Sequence, residues 1–358
     1  KPLCITLQEV TAMKSNTSVK KNNVLLNNPV ANMIRSNIGI ICVLLIIGVF
    51  LSLLSDKFLT SGNLISVMRQ ISINVYIALG MTLVIILGGI DLSVGAIVAL
   101  TGTVTVGLIV NTGLPIAAAI AIGLLIGVVC GFISGTMVAE FKLPAFIVTM
   151  AMMNIARGAA NVYSGGRSTR ITDEFFSSIG SGYLFGVIPL PVIYMVVLII
   201  LITVVLNKTK FGTYIYAIGG NRESARLSGV PIKKVEIAVF TIIGLLSAFA
   251  GLVLASRMYS GQPSVGAGYE LDAIAACVLG GVSMSGGKGR ISGTVFGAMV
   301  IGFISNGLNL MNVNSFWQLV VKGIIILIAV VIDSQKNPDS PISKLIAKVK
   351  RSSAKKSA

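Results

Sequence analysis

Two apolar runs, Ile71–Leu87 and Leu92–Val110, follow one another with a single carboxylate, Asp91, between them. Each is long enough, or nearly so, to cross about 30 Å of hydrocarbon at about 1.5 Å per residue. A charge at that depth costs at least a few kcal/mol against lipid, so Asp91 must face protein or water. Gly88 and Gly89 permit a turn or a close backbone approach just before it. Leu92-Ser93-Val94-Gly95-Ala96 then restarts an apolar pattern with small residues suited to helix contact. Two readings fit this stretch. Asp91 is the N-cap of a span that follows a plain loop, or the two broken runs build a site at membrane depth. A capped helix start serves both.

Composition extends the constraint to the whole chain. Of 358 residues, 54% are hydrophobic and 11% charged, where a soluble domain carries about 25% charged residues. The fold class expected is an all-α, polytopic membrane protein with no soluble segment long enough for a core of its own. The formal charge of +16 raises nucleic acid as a partner. The basic residues, however, are scattered over short loops and tails, which the positive-inside rule explains better; no nucleic acid is expected. Cys4, Cys42, Cys130 and Cys277 show no CxxC spacing, so neither a disulfide framework nor a zinc site is implied. With no histidine, the commonest metal ligand and acid–base group is missing.

Along the chain, residues 1–37 read as a polar cytoplasmic tail, with Met13 as a candidate start and no cleavable signal pattern. A transmembrane domain follows over 38–333, and a basic cytoplasmic tail over 334–358. Ten segments are expected in the membrane: Ile38–Leu54, Leu64–Leu87, Leu92–Val110, Leu114–Val138, Leu143–Val162, Pro189–Leu206, Val235–Ser256, Leu271–Gly281, Ile291–Leu310 and Phe316–Ile332. The eighth is too short to span and reads as broken or re-entrant, with its polar flank Gly261–Glu270 held inside protein. Placing both termini inside leaves Lys57, Arg69, Arg157, Arg167, Arg170, Arg257 and Lys322 on the outer side and every other lysine and arginine inside. That bias supports the parity.

The halves resemble each other. Gly131-Phe-Ile-Ser-Gly135 recurs as Gly302-Phe-Ile-Ser-Asn306, and the stretch from Gly89 to Gly102 aligns more weakly with Gly268 to Gly281, setting Asp91 opposite Glu270. Mates separated by five segments have opposite orientation, the mark of inverted-repeat transporters; chance similarity among apolar segments is the competing explanation.

Few residues could carry chemistry. Polar groups inside segments are Arg69, Gln70, Asn74, Asn154, Arg157, Asn306, Asn309, Gln318 and Lys322, beside Asp91, Glu270 and Asp272. Asp91, Ser93, Asn154, Glu270, Asp272 and Asn306 are the pathway candidates; Arg69, Arg157 and Lys322 lie near outer ends and are expected to snorkel. No Ser/His/Asp set or HExxH occurs, so no catalytic residue is assigned. Gly286-Gly-Lys-Gly-Arg290 departs from the P-loop, because Gly289 follows Lys288 and no strand precedes it. It reads as a basic turn at the inner surface, and the chain has no ATPase motif.

The longest inner loop, Asn207–Lys234, contains Gly219-Gly220 as a turn, then Asn221 able to cap a short helix Arg222–Leu227, with Glu223 favourable near its start. Gly229 ends it and Pro231 follows. Such a helix suits docking into a partner's groove, or its charges only set topology.

At this point the residues resemble a known family. GMTLVIILGGIDLSVGAIVALTG, YIYAIGGNRESARLSGV, and GYELDAIAACVLGGVSMSGGKGRISGTVFGAMVIGFISNGLNL followed by FWQLVVKGIIILIAVVID look like the permease subunit of ribose-type bacterial sugar ABC importers, over about Ile38 to Asp333. Asn312 stands where glycine is expected. The resemblance implies a second permease chain in a homodimer, a cytoplasmic sugar ATPase carrying ATP and Mg, no cofactor on this chain, a periplasmic or lipid-anchored sugar-binding protein, and the bacterial inner membrane. It also implies that Gly219, Gly220, Asn221, Arg222, Glu223, Arg226, Leu227 and Gly229 form the ATPase-coupling segment. D-ribose is favoured by motif closeness. The alternatives are another sugar or autoinducer-2, a stand-alone ion-coupled carrier using Asp91 and Glu270, and a scaffold without transport.

Overall fold

The computed structural model describes residues 33–35 and 37–335, with the side chains of the last helix as far as 331. Most of the tail expected over 1–37 and nearly all of that over 334–358 lie outside the described residues. The chain divides into two compact units, Lys1–Ile38 and Gly39–Ala358. In the first, Asn37 folds back on a helical turn, its Nδ2 donating to the Met33 carbonyl at 2.8 Å.

The second unit is built from helices. In chain order they are α1 Ile38–Leu54, α2 Ser61–Leu87, α3 Val94–Thr112, α4 Ile116–Phe141, α5 Ala145–Ser164, α6 Glu174–Ser181, α7 Leu190–Lys208, α8 Lys210–Gly220, α9 Arg222–Leu227, α10 Ile232–Arg257, α11 Tyr269–Leu279, α12 Ile291–Leu310 and α13 Ser315–Gln335. A helix stands at each of the ten expected segments, with ends shifted by a few residues. Seven of them, α2, α3, α4, α5, α7, α10 and α12, are long and apolar enough to cross a membrane. Helix α1 is a shorter apolar helix, α13 is apolar over Ser315–Val331, and α11 has 11 residues, about half a span.

Helix α2 is the centre. Every residue from Ile71 to Leu87 is buried, so this helix meets protein on all sides. Around it, association depends on close van der Waals packing, because lipid offers no hydrophobic drive between helices. The sequence supplies that closeness in α4. Gly123, Gly127, Gly131 and Gly135 recur every four residues on one face. That face lies on α10: a Cβ on Gly131 would strike the Phe240 carbonyl, and one on Gly135 would sit 2.8 Å from the Ile237 backbone. Helix α12 meets α2 the same way, with Gly302 against Ile71.

The strands are short. β1 Thr169–Arg170 pairs antiparallel with β4 Ser260–Gly261, and β2 Tyr183–Leu184 pairs with β3 Ile188–Pro189. Helix α6 starts at Asp173, whose Oδ1 accepts from the Phe176 amide at 2.8 Å. It is fixed to α10 by Ser256, whose Oγ accepts from the Gly180 amide at 2.7 Å and donates to the Phe176 carbonyl at 2.6 Å. One hydroxyl thus anchors the loop Gly165–Val187 to the helix bundle.

Candidate functional site

Helix α2 ends at Gly88, whose φ of +96° turns the chain toward Asp91. Asp91 is 1% exposed. Its Oδ1 accepts from the Ser93 amide at 2.8 Å and the Ser93 hydroxyl at 2.6 Å, closing an Asx turn immediately before α3. Thr149 of α5 secures the turn from the other side, its Oγ1 accepting from the Leu92 amide at 3.1 Å. Sequence reasoning missed Thr149, because an i−4 bond to Ala145 is all its local context announces.

The start of α11 meets the start of α3. Gly95 lies against the Gly266 carbonyl, and its Cβ position is 2.6 Å from Glu270 Oε2. Glu270 Oε1 accepts from the Gly268 amide at 3.1 Å. The structure therefore joins Asp91, Ser93 and Glu270 through two abutting helix starts. Asp272, one turn face away on α11, is buried and takes 2.8 Å from Lys322 Nζ of α13.

Asn154 and Asn306 lie elsewhere. Asn306 of α12 exchanges amide hydrogen bonds with Asn63 of α2, at 3.0 and 2.8 Å. A closed amide pair of this kind joins two helices and has its polar capacity directed inward. Asn154 is exposed on α5.

Three residues expected to snorkel are held by protein instead. Lys322 pairs with Asp272. Arg69 donates to the Ser181 carbonyl at 2.6 Å and stacks on the Tyr183 ring at 4.5 Å. Arg157 Nη1 donates to the carbonyls of Pro263 at 2.7 Å and Val265 at 2.6 Å. Those carbonyls belong to non-helical backbone with no ladder partner, and a guanidinium satisfies two of them at once. Sequence position near a span end does not reveal such partners.

On the other end of the bundle, the short helix forms as expected. Asn221 Oδ1 accepts from the Ser224 amide at 2.9 Å, α9 runs Arg222–Leu227, and Gly229 with φ of +80° terminates it. Gly219-Gly220 is not a free turn. Both residues close α8, and Gly219 is needed because any Cβ would strike the Ile86 carbonyl at the end of α2. The same carbonyl accepts from the Gly287 amide at 2.8 Å, and Tyr216 Oη donates to the Gly289 carbonyl at 2.8 Å. The Gly286–Arg290 turn is thus a strut between α8 and the end of α2, five residues before Asp91.

The two arginines of α9 differ. Arg222 forms a bidentate pair with Glu236, whose side chain is 3% exposed. It neutralises a buried carboxylate and ties α9 to α10. Arg226 pairs with exposed Glu223 at 2.5 Å, and its hydrogen bond holds the Glu223 carboxyl below the usual glutamate range. Leu227 is 77% exposed beside them. A cavity of about 1050 Å³ opens here between the end of α4 and α9–α10, lined by Val138, Leu143, Arg226, Val230 and Lys234 among others. An apolar floor with a basic rim and one protruding leucine can receive a protein partner.

Comparison with known proteins follows the same outline. The family model described as "branched-chain amino acid transport system / permease component" matches residues 63–330. The chain is 44% identical over 304 residues to the ribose import permease protein RbsC of Haemophilus influenzae, covering 84% of this chain and 92% of that protein. It is 47% identical over 296 residues to RbsC of Bacillus subtilis, covering 82% and 91%. It is 42% identical over 298 residues to the L-arabinose transport system permease protein AraH of Escherichia coli, covering 83% and 90%. No solved structure matches.

Proposed function

This chain belongs to the branched-chain amino acid transport system / permease component family, and on that premise we propose that it is the membrane-spanning subunit of an ATP-binding-cassette importer for D-ribose. The observation that carries the reading is 44–47% identity to ribose import permeases over more than nine-tenths of their length. The arabinose permease, at 42%, supports L-arabinose as the second substrate to test. The protein is a multi-pass inner-membrane protein and a transport subunit, not itself an enzyme.

In this reading ATP and Mg act on a cytoplasmic ATPase, no cofactor resides on this chain, a periplasmic or lipid-anchored protein delivers the sugar, and two copies of the chain form the pathway. Both termini and Asn207–Lys234 face the cytoplasm. The ten segments form two inverted five-segment repeats within 38–333. Reciprocal packing supports the repeat: α4 lies on α10 and its mate α12 lies on α2, the mate of α10, while α3 abuts the start of its own mate α11. The coupling segment is Gly219–Gly229. Its support is mechanical: it touches the Ile86 carbonyl, from which α2 leads directly to Asp91. A displacement of α8–α9 by a nucleotide-driven partner therefore reaches the helix starts at Asp91 and Glu270 through backbone contacts.

The test is uptake into proteoliposomes holding the chain alone, or with its ATPase and binding protein. ATP-dependent D-ribose uptake by the complete set is expected. Sugar uptake by the isolated chain on a proton gradient would overturn the reading in favour of an ion-coupled carrier.

A further inference from the structure

The loop before α7 ends in an apolar hairpin. Strands β2 and β3 pair around a two-residue turn, Phe185-Gly186. At its tip Phe185 is 89% exposed and Val187 70%. Charged residues stop at Glu174 and do not resume until Lys208, so this open apolar tip lies in a stretch with no charge of its own. The start of α6 just before it is different, with Asp173 and Glu174 both exposed.

A second, independent sign is the backbone of the turn. Phe185 has a φ of +52° and Gly186 of +71°. A two-residue turn with both φ positive is served by Asn-Gly, and a bulky residue in its first place is an outlier. An outlier of this kind points to a use for the side chain. A ring so exposed has its use outside the chain.

The hairpin also closes its own hydrogen bonds. The Val187 amide donates to the Leu184 carbonyl at 3.2 Å and the Leu190 amide to the Gly182 carbonyl at 3.0 Å, while Pro189 brings no N–H. Backbone satisfied in this way can enter a layer poor in water. Its level suits that layer. Strand β3 runs straight into α7, whose 19 residues end at Lys208. They extend about 28 Å, close to the hydrocarbon thickness of about 30 Å. With Lys208 at one boundary, the hairpin stands at the other, where hydrocarbon gives way to headgroups. Helix α7 itself shows Val197, Ile200 and Leu201 to its surroundings, as a lipid-facing helix does. Tyr183 has the amphipathic ring of an interfacial residue, and the Arg69 guanidinium lies 4.5 Å from its centre. Arg69 is near one end of α2 and Ile86, which meets α8, is near the other, so the hairpin is at the end of the bundle opposite α8–α9.

We propose that the hairpin Tyr183–Pro189 is a membrane anchor: Phe185 and Val187 insert at the acyl boundary of the leaflet on that end, the outer leaflet in the orientation given above, and Arg69 ties the anchor to α2. A protein partner is the poorer fit, because such interfaces carry a polar rim and this tip has only the Tyr183 hydroxyl. The proposal needs a bilayer-spanning chain and no particular solute.

The experiment uses the permease with its ATPase in proteoliposomes, with Cys4, Cys42, Cys130 and Cys277 replaced. A nitroxide is placed by Val187→Cys, with Val197→Cys as the lipid-facing control and Glu174→Cys as the water-facing one. Its relaxation by oxygen, which concentrates in lipid, is compared with that by a water-soluble nickel chelate. The ratio at Val187→Cys should resemble that at Val197→Cys and exceed that at Glu174→Cys several-fold. Phe185→Asn suits the turn and should keep the fold, yet move the Val187→Cys ratio toward the water-facing control. A water-like ratio with Phe185 present would overturn the proposal. Shielding from both reagents would overturn it in favour of a contact between copies of the chain. Nickel access that is lost only when the binding protein is added would overturn it in favour of a docking surface for that protein.

Discussion

Gly95 and Gly266 stand backbone against backbone: a Cβ on either would strike the carbonyl oxygen of the other. They bring together two helix starts, α3 after Asp91 and α11 at Glu270, that lie far apart in sequence. Helix N-termini carry partial positive charge, and each start here is supplied with its own carboxylate, Asp91 to Ser93 and Glu270 to Gly268. Asp91 Oδ1 and Glu270 Oε1 are thereby answered locally, Asp91 Oδ2 has no hydrogen-bond partner among the described residues, and the closest contact between the two starts is bare backbone.

Gly95→Ala should be poorly tolerated, because the Gly266 carbonyl it would strike is backbone and cannot yield as a side-chain end can. Overpacking of this kind costs about 1–3 kcal/mol, and Gly266→Ala adds strain at a φ of +75°. Thermal unfolding of the purified chain should fall by at least about 3 °C, with uptake lost. Gly62→Ala, where a Cβ meets nothing within 4 Å, is the control. An unchanged melting temperature in Gly95→Ala would show that the helix starts do not abut.

Leu227→Asp and Arg226→Glu should leave expression and melting temperature near wild type while abolishing co-purification of the ATPase. Arg222→Ala should behave differently and destabilise the chain itself, because it strands Glu236 in a buried position. Retained ATPase binding and transport in both α9 surface variants would move the docking function to another loop.

The Glu223–Arg226 pair sets a pH expectation. Glu223 is held below its usual range by Arg226. A depressed carboxyl contributes above its unfolded value, about 4.3, and loses that contribution as pH falls through its folded one. ATPase association measured by pull-down should therefore be flat from about pH 8 to about pH 5. A midpoint near neutrality would assign the interaction to another group.

Lys322→Met should destabilise by about 3–5 kcal/mol, the usual result of removing one member of a buried pair. Asp272→Leu combined with Lys322→Met should recover much of that loss, and melting temperatures of the single and double variants decide it. Equal losses in both would mean that the pair does not hold α13 to α11.

Labelling of Ser224→Cys in the cysteine-free background checks orientation. A membrane-impermeant reagent should reach it from the cytoplasmic side of inverted vesicles and not from the periplasmic side of intact cells. The reverse result would invert the proposed topology.

Much of this architecture was legible in the chain. Helix α9 could be read to the residue, because Asn221 and Gly229 are local signals that act within one turn. That α11 is too short to span was legible from its length. Partners across the fold were not. Arg157 and Lys322 sit where snorkelling arginines and lysines sit, and nothing near them in sequence names Pro263 or Asp272. Gly219 reads as turn chemistry, whereas its use is proximity to a carbonyl on another helix. Asn306 looks like a pathway group until Asn63 is seen to complete it.

The Asp272–Lys322 pair also bears on how the chain enters a membrane. A lysine inside an apolar helix is an obstacle to lateral release into lipid, and the carboxylate that neutralises it lies fifty residues earlier, in a helix of 11 residues. Neither charge settles stably alone. Helices α11 and α13 therefore settle as a pair, and neither is in its final place until both have been made.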